Sequence, residues 1–337
     1  MADDRKGLVP VAYEPEDAPN ICVFPGPSAR SLLLRRLLQV TVRPVLQTWG
    51  VLPNLPWPYG VIDKAGLALP AICGTRREHV ELRNCDAEWL RAPGAGDDRA
   101  ILYLHGGAFL CCGLNTHRRL VSRISAACAA PALVVDYRML PGNSVHAAID
   151  DCLDGYRWLL ARGYRRDQIV FAGDSAGGFL VLMTAIAAHE EGIGHPAALV
   201  CQSPFIDTDP CRKLERLGDM LDPLFPANAL ISLTELMAAV AAPEERLYDS
   251  RVRCPLDADL RDLPPVLVQA GADELLSVDA ELIAAEIADD GAECTLELYE
   301  GQFHVFQAAA DLVPEAEEAI ARIGCFVRDV VRDRTAA

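Results

Sequence analysis

Positive charge is scarce in this chain. Its 337 residues carry 31 Lys and Arg against 48 Asp and Glu, a net charge of −17, which excludes a nucleic-acid partner held through its phosphates. The twelve cysteines show no C-x-x-C pair and no metal-finger spacing, so the sequence implies no metal and no cofactor. Asn-x-Ser/Thr sites are missing. The opening Met-Ala-Asp-Asp-Arg-Lys has no apolar core and no cleavage site, so a cytoplasmic chain with reduced thiols is expected, with envelope association left open. The longest uncharged run near the start, residues 44–62, holds Pro44, Pro53, Pro56 and Pro58, and no transmembrane segment is expected.

What is present points to a soluble globular protein. Hydrophobic residues make up 51% and charged residues 23%, which excludes disorder, collagen and coiled coil. The length fits two domains or one large α/β domain with a lid. Charge is unevenly placed: residues 257–320 hold 17 acids and one base, Arg261, whereas residues 28–62 hold Arg30, Arg35, Arg36 and Arg43 and no acid.

Residues 1–70 differ from the rest, with a Pro-rich lead, an apolar-and-Arg helix from about Ser31 and a Pro/Trp stretch around Trp57, and read as an arm or lid. From Val80 onward, strands alternate with helices, the signature of a mostly parallel sheet covered on both faces. Strands are predicted at 100–104, 132–136, 168–172, 197–202, 265–270 and 295–299, each apolar and bounded by Gly, Pro or charge. Helices are predicted at 146–161, 176–189, 278–289 and 314–331. Residues 208–247 break the rhythm and read as an insertion that joins the arm in a lid.

Gly173-Asp174-Ser175-Ala176-Gly177 has the form G-x-S-x-G between a predicted strand and a predicted helix. Small residues flank the serine because the sharp turn leaves no room for a Cβ, and the turn lifts the hydroxyl to the sheet's edge. Ser175 is therefore the candidate nucleophile. It needs a base, which in this arrangement follows an acid in chain order. Of the histidines beyond Ser175, His189 and His195 lie too close to the helix that starts there, which leaves His304. Asp273, just past the strand at 265–270, is the preferred acid, with Asp207 and Glu274 as competitors. His105-Gly106-Gly107-Ala108, after a strand, and the N–H of Ala176 would supply donors to an oxyanion.

On these residues the chain resembles the hormone-sensitive-lipase-like carboxylesterases of the α/β-hydrolase superfamily. The match spans roughly residues 80–331. It carries the family's His-Gly-Gly-Gly motif as His105 to Ala108, its Gly-Asp-Ser-Ala-Gly-Gly as Gly173 to Gly178, its aspartate as Asp273 and its histidine as His304. The resemblance implies an α/β-hydrolase domain over residues 71–337, with a helical cap built from residues 1–70 and an insertion at about 208–247. It implies an oxyanion hole of Gly106, Gly107, Ala108 and Ala176, with the donors at Gly107, Ala108 and Ala176, and His105 and Asp174 in supporting positions. Four departures stand out: Ala108 for the third glycine, Gly142 where Tyr-Arg-x-x-Pro is followed by glutamate, Glu274 for a proline after the acid, and Val305 for a glycine after the histidine.

The reading is serine hydrolysis of neutral short- to medium-chain acyl esters through an acyl-enzyme, with no cofactor. Amide deacetylation on the same triad and a non-catalytic small-molecule receptor are the alternatives. The stretch from Arg30 to Leu46 fits a lid helix that buries its leucines, the preferred reading, or transient contact with an anionic lipid surface. Cys111-Cys112 fits burial beside the loop better than a redox switch. The sequence leaves a homodimer open.

Overall fold

A computed structural model of the chain describes residues 19–217, 222–247 and 251–336. The chain opens with β1 (Asn20–Phe24), α1 (Ala29–Thr41), α2 (Arg43–Val51) and α3 (Tyr59–Ala65). Next come β2 (Arg76–Glu81), β3 (Asp86–Arg91), β4 (Ala100–Leu104), α4 (Leu114–Cys128), β5 (Ala132–Asp136) and α5 (Val145–Ala161). They are followed by β6 (Ile169–Asp174), α6 (Ala176–Glu190), β7 (Ala198–Gln202), α7 (Cys211–Leu217) and α8 (Ala227–Val240). The last elements are β8 (Val266–Gly271), α9 (Ser277–Asp289), β9 (Cys294–Tyr299) and α10 (Pro314–Ala336).

The strands form one sheet in the order β1-β9-β8-β7-β6-β4-β5-β3-β2. Only β2 with β3 and β3 with β5 are antiparallel. Strands β4, β6, β7 and β8 are buried at every position, as a parallel sheet with helices on both faces requires. All six predicted strands are present to within two residues at either end. The three that the pattern did not reveal are β1, β2 and β3. In β2 only Val80 is buried, so no apolar alternation marks it. β1 lies in the Pro-rich arm and is held at the sheet edge by pairing with β9 and by Phe24 stacked on Tyr299 at 4.5 Å.

Among the described residues, both segments expected to form a lid contribute side chains to the cavity at Ser175, which follows the carboxyl end of β6, where open α/β sheets place their sites. Ser28 caps α1 by accepting the Ser31 N–H, and its own N–H and hydroxyl donate to Glu315. The buried Ser31 hydroxyl donates to Gln302 at 2.7 Å. Helix α2 crosses α8 so closely that a Cβ on Gly50 would stand 2.5 Å from the Ala229 nitrogen, and Ser232 donates to the Gly50 carbonyl. On the insertion's other side, Lys213 and Asp279 form a pair at 2.8 Å with neither side chain exposed.

One expectation is corrected here. Helix α1 does not bury its leucines: Leu34 and Leu38 pack partly against the body, whereas Leu32, Leu33 and Leu37 are exposed. Successive residues turn 100° about a helix, so leucines at 32, 33, 34, 37 and 38 cannot all face one neighbour. Among the described residues no helix is long and apolar enough to cross a membrane.

Candidate active site

Ser175 stands between β6 and α6 with φ 53° and ψ −120°, the strained turn that exposes a side chain at the sheet edge. The flanking glycines are sterically required. A Cβ on Gly177 would fall 1.9 Å from the Leu104 carbonyl oxygen, and one on Gly173 would fall 2.6 Å from the same atom. The Ser175 N–H donates to the Gln202 carbonyl at 2.9 Å, which ties the turn to the end of β7. The next residue, Ser203, accepts the Val305 N–H on its hydroxyl at 3.1 Å. The end of β7 thus connects the Ser175 turn to the loop that carries His304.

The acid that meets His304 is Glu274, whose Oε2 lies 3.0 Å from His304 Nδ1. The Glu274 side chain has no exposure, and its other oxygen accepts the Gly271 N–H. Asp273, the preferred acid of the sequence reading, points elsewhere: its Oδ2 accepts from Arg35 at 2.8 Å and its side chain is 41% exposed. The competitor Asp207 is also turned away, accepting the Asp209 N–H at 2.9 Å. Adjacent residues in a tight turn project in different directions, so a one-residue difference exchanges an imidazole partner for a solvent-facing ion pair.

Phe225 meets the His304 ring edge-on at 4.7 Å. The loop that carries Phe225 is fixed by Asp222, a residue the sequence did not single out. Its Oδ1 accepts the Leu224 and Phe225 N–H groups at 2.5 and 2.6 Å, and its Oδ2 accepts the Leu275 N–H. Arg43 of α2 donates to the carbonyls of Asp222 and Phe225. One buried carboxylate therefore ties the insertion to the loop that holds Glu274.

The glycine loop after β4 has its own strain. Gly107, Ala108 and Phe109 have φ of 118°, 56° and 57°, and a Cβ on Gly107 would fall 2.0 Å from the Cys111 carbonyl oxygen. Ala108 and Ala176 line the same cavity as Ser175. Ala176 is the first residue of α6, where backbone N–H groups have no partner within the helix. Gly106 instead packs on Asp174: a Cβ there would stand 2.3 Å from the carboxylate.

Behind this loop lies a buried charge network. Asp174 accepts from Tyr103 at 2.8 Å and from His117 Nε2 at 3.2 Å. Burial by itself would raise the Asp174 carboxyl, but the His117 charge and the two hydrogen bonds hold it below its ordinary value. Burial opposes the His117 charge too, yet the Asp174 carboxylate overcomes it and lifts His117 to about 9. His105, buried and beside His117, is pushed down to about 4. His105 stacks on Tyr137 at 4.3 Å and holds the Gly106 carbonyl at 2.7 Å.

The cavity is about 290 Å³ and almost wholly apolar. Its floor is Ser175, Ala176 and Ala108, and its walls include Trp49, Leu230 and Leu233 from α2 and α8. Cys111 also faces it, half-buried and with its sulfur 3.9 Å from that of Cys112. Among the described residues no cluster of His, Cys, Asp and Glu is suited to a metal ion.

Residues 101–308 match the family model described as the alpha/beta hydrolase fold. The chain is 44% identical over 301 residues to Esterase LipU of Mycobacterium tuberculosis, covering 86% of this chain and 99% of that protein. It is 39% identical over 330 residues to Carboxylesterase/phospholipase LipF of the same organism, covering 94% and 86%. Among solved structures, EstE5 soaked with ethyl alcohol superposes with a TM-score of 0.79 at 32% identity, covering 90% of this chain and 99% of that one. An esterase from the bacterial hormone-sensitive lipase family gives 0.75 at 34%, covering 86% and 97%.

Proposed function

The chain belongs to the hormone-sensitive-lipase-like esterases of the α/β-hydrolase fold and is a carboxylic ester hydrolase, and we propose that it cleaves neutral esters of short to medium acyl chain by a serine mechanism. Ser175 Oγ attacks the ester carbonyl while His304 takes its proton. The oxyanion rests on the N–H groups of Gly107, Ala108 and Ala176. His304 then gives the proton to the departing alcohol, and water activated by His304 releases the acid from Ser175.

In this reading Glu274 replaces Asp273 as the acid that orients the imidazole and stabilises its charged form. Its support is the 3.0 Å contact at Nδ1. His105 and Asp174 hold the two motifs from behind. Residues 1–70 and the insertion at about 208–247 act as the cap, which is supported by the α2–α8 crossing and by the cavity residues they contribute.

The observation that carries the substrate class is the apolar cavity opening on Ser175. It offers an acyl chain a dry wall and offers an anionic substrate no counter-charge. Hydrolysis rates on nitrophenyl esters from acetate to palmitate, with Ser175→Ala as control, test the reading. The expected result is an optimum at short or medium chains that depends on Ser175. Turnover unaffected by Ser175→Ala would overturn the mechanism, and a long-chain optimum would overturn the substrate class.

A further inference from the structure

Fifteen of the seventeen large apolar side chains that stand exposed among the described residues lie between Ile21 and Leu69. They are not scattered as ordinary exposed hydrophobics are. Leu33, Leu37 and Val40 recur at helical spacing on the outer face of α1 and are 72%, 53% and 70% exposed. Val51, Leu55 and Leu67 extend the apolar surface along the following segments.

The same segment carries basic residues. Of the four arginines in residues 28–62, Arg35 is paired with Asp273 and Arg43 is bound to loop carbonyls, while Arg30 and Arg36 are exposed, as is Lys64. Residues 28–69 hold one acid, Asp63, whose carboxylate accepts from Asn115 and Thr116 of α4. An apolar helix face flanked by cations matches an anionic lipid surface, with the cations at the headgroups and the leucines at the acyl boundary. A two-fold pairing of this face with itself would instead oppose like charges.

The cavity supplies a second, independent link. Val45, Val61 and Ile62 are exposed and also line the cavity that reaches Ser175. Part of the segment's exposed apolar surface is therefore the cavity's own lining, so a protein seated there would block the entrance, whereas a lipid layer would feed it. We propose that residues 29–69 dock the enzyme on an anionic lipid surface and draw ester substrate from that surface into the cavity. The proposal deepens the ester-hydrolase reading by naming where substrate enters, but its test needs no turnover.

The experiment is flotation of the full-length protein with vesicles of phosphatidylglycerol or of phosphatidylcholine. Size-exclusion chromatography and hydrolysis of a water-soluble short ester are run alongside. The expected result is binding to phosphatidylglycerol at least tenfold stronger than to phosphatidylcholine and weakened by salt. Binding should be kept by Ser175→Ala and reduced tenfold or more by Leu33→Glu, Leu37→Glu and Val40→Glu together. That triple variant should still cleave the soluble ester, and Leu312→Glu, exposed elsewhere on the surface, should bind as the wild type does. Four results would overturn the proposal: no vesicle binding by the wild type, equal binding by the triple variant, a dimer that the triple variant splits without any vesicle binding, or binding that appears only after residues 2–18 are removed.

Discussion

Glu274 faces His304 Nδ1 at 3.0 Å while its neighbour Asp273 is held by Arg35 at 2.8 Å. The two carboxylates are one residue apart in the chain and serve different structures, one the imidazole and the other the arm. Glu274→Gln should therefore lower kcat by about 1,000- to 10,000-fold, the scale seen when an orienting carboxylate becomes an amide. Asp273→Asn should keep activity within a few-fold, because it loses only a part-exposed ion pair. Steady-state kinetics on both variants decide the matter, and the reverse pattern would restore Asp273 as the acid.

Asp222 makes a separable prediction. Its carboxylate accepts N–H groups from both the Phe225 loop and the Glu274 loop, and removing it leaves buried donors without a partner. Asp222→Ala should lower stability by about 3 kcal/mol. It should also lower kcat and raise KM together, since Phe225 flanks His304 and both Phe225 and Leu275 line the cavity. Thermal melting and kinetics on one preparation test both parts, and a stable variant with unchanged kcat would refute them.

The buried histidines set a pH dependence of stability. His117 is raised from 6.5 to about 9, so its contribution is complete below pH 6.5 and is lost as pH rises through 9. His105 is lowered to about 4, so its contribution is complete above pH 6.5 and is lost as pH falls toward 4. His117→Gln keeps a donor for Asp174 but removes the charge. Its destabilisation relative to wild type should be largest below pH 6.5 and should shrink toward pH 9 in melting scans. A difference that does not change with pH would show that His117 carries no proton at neutrality.

Chain-length preference should follow the cavity walls. Leu230 and Leu233 of α8 line the cavity opposite the Ser175 turn, and Leu230→Trp fills space that an acyl chain would occupy. The ratio of kcat/KM for octanoate to that for butyrate should fall by about tenfold, the range expected for one or two methylenes in an apolar pocket. An unchanged ratio would move the acyl site to another part of the cavity.

The sequence by itself determined the sheet's central strands and the Ser175 turn. Those features rest on local physics: continuous apolar runs for strands buried on both faces, and glycines where a Cβ would meet the Leu104 carbonyl. His304 was legible through chain order alone. The choice between Asp273 and Glu274 was not, because it depends on which way each side chain leaves one tight turn and on an arginine 238 residues away. The same holds for Asp222, whose bond to Leu275 spans 53 residues, and for β1, which is a strand only because β9 offers it an edge. The exposed face of α1 reverses the sequence reading for a related reason. Composition shows that a helix is rich in leucine, but only the packed body decides which of those leucines it has room to cover.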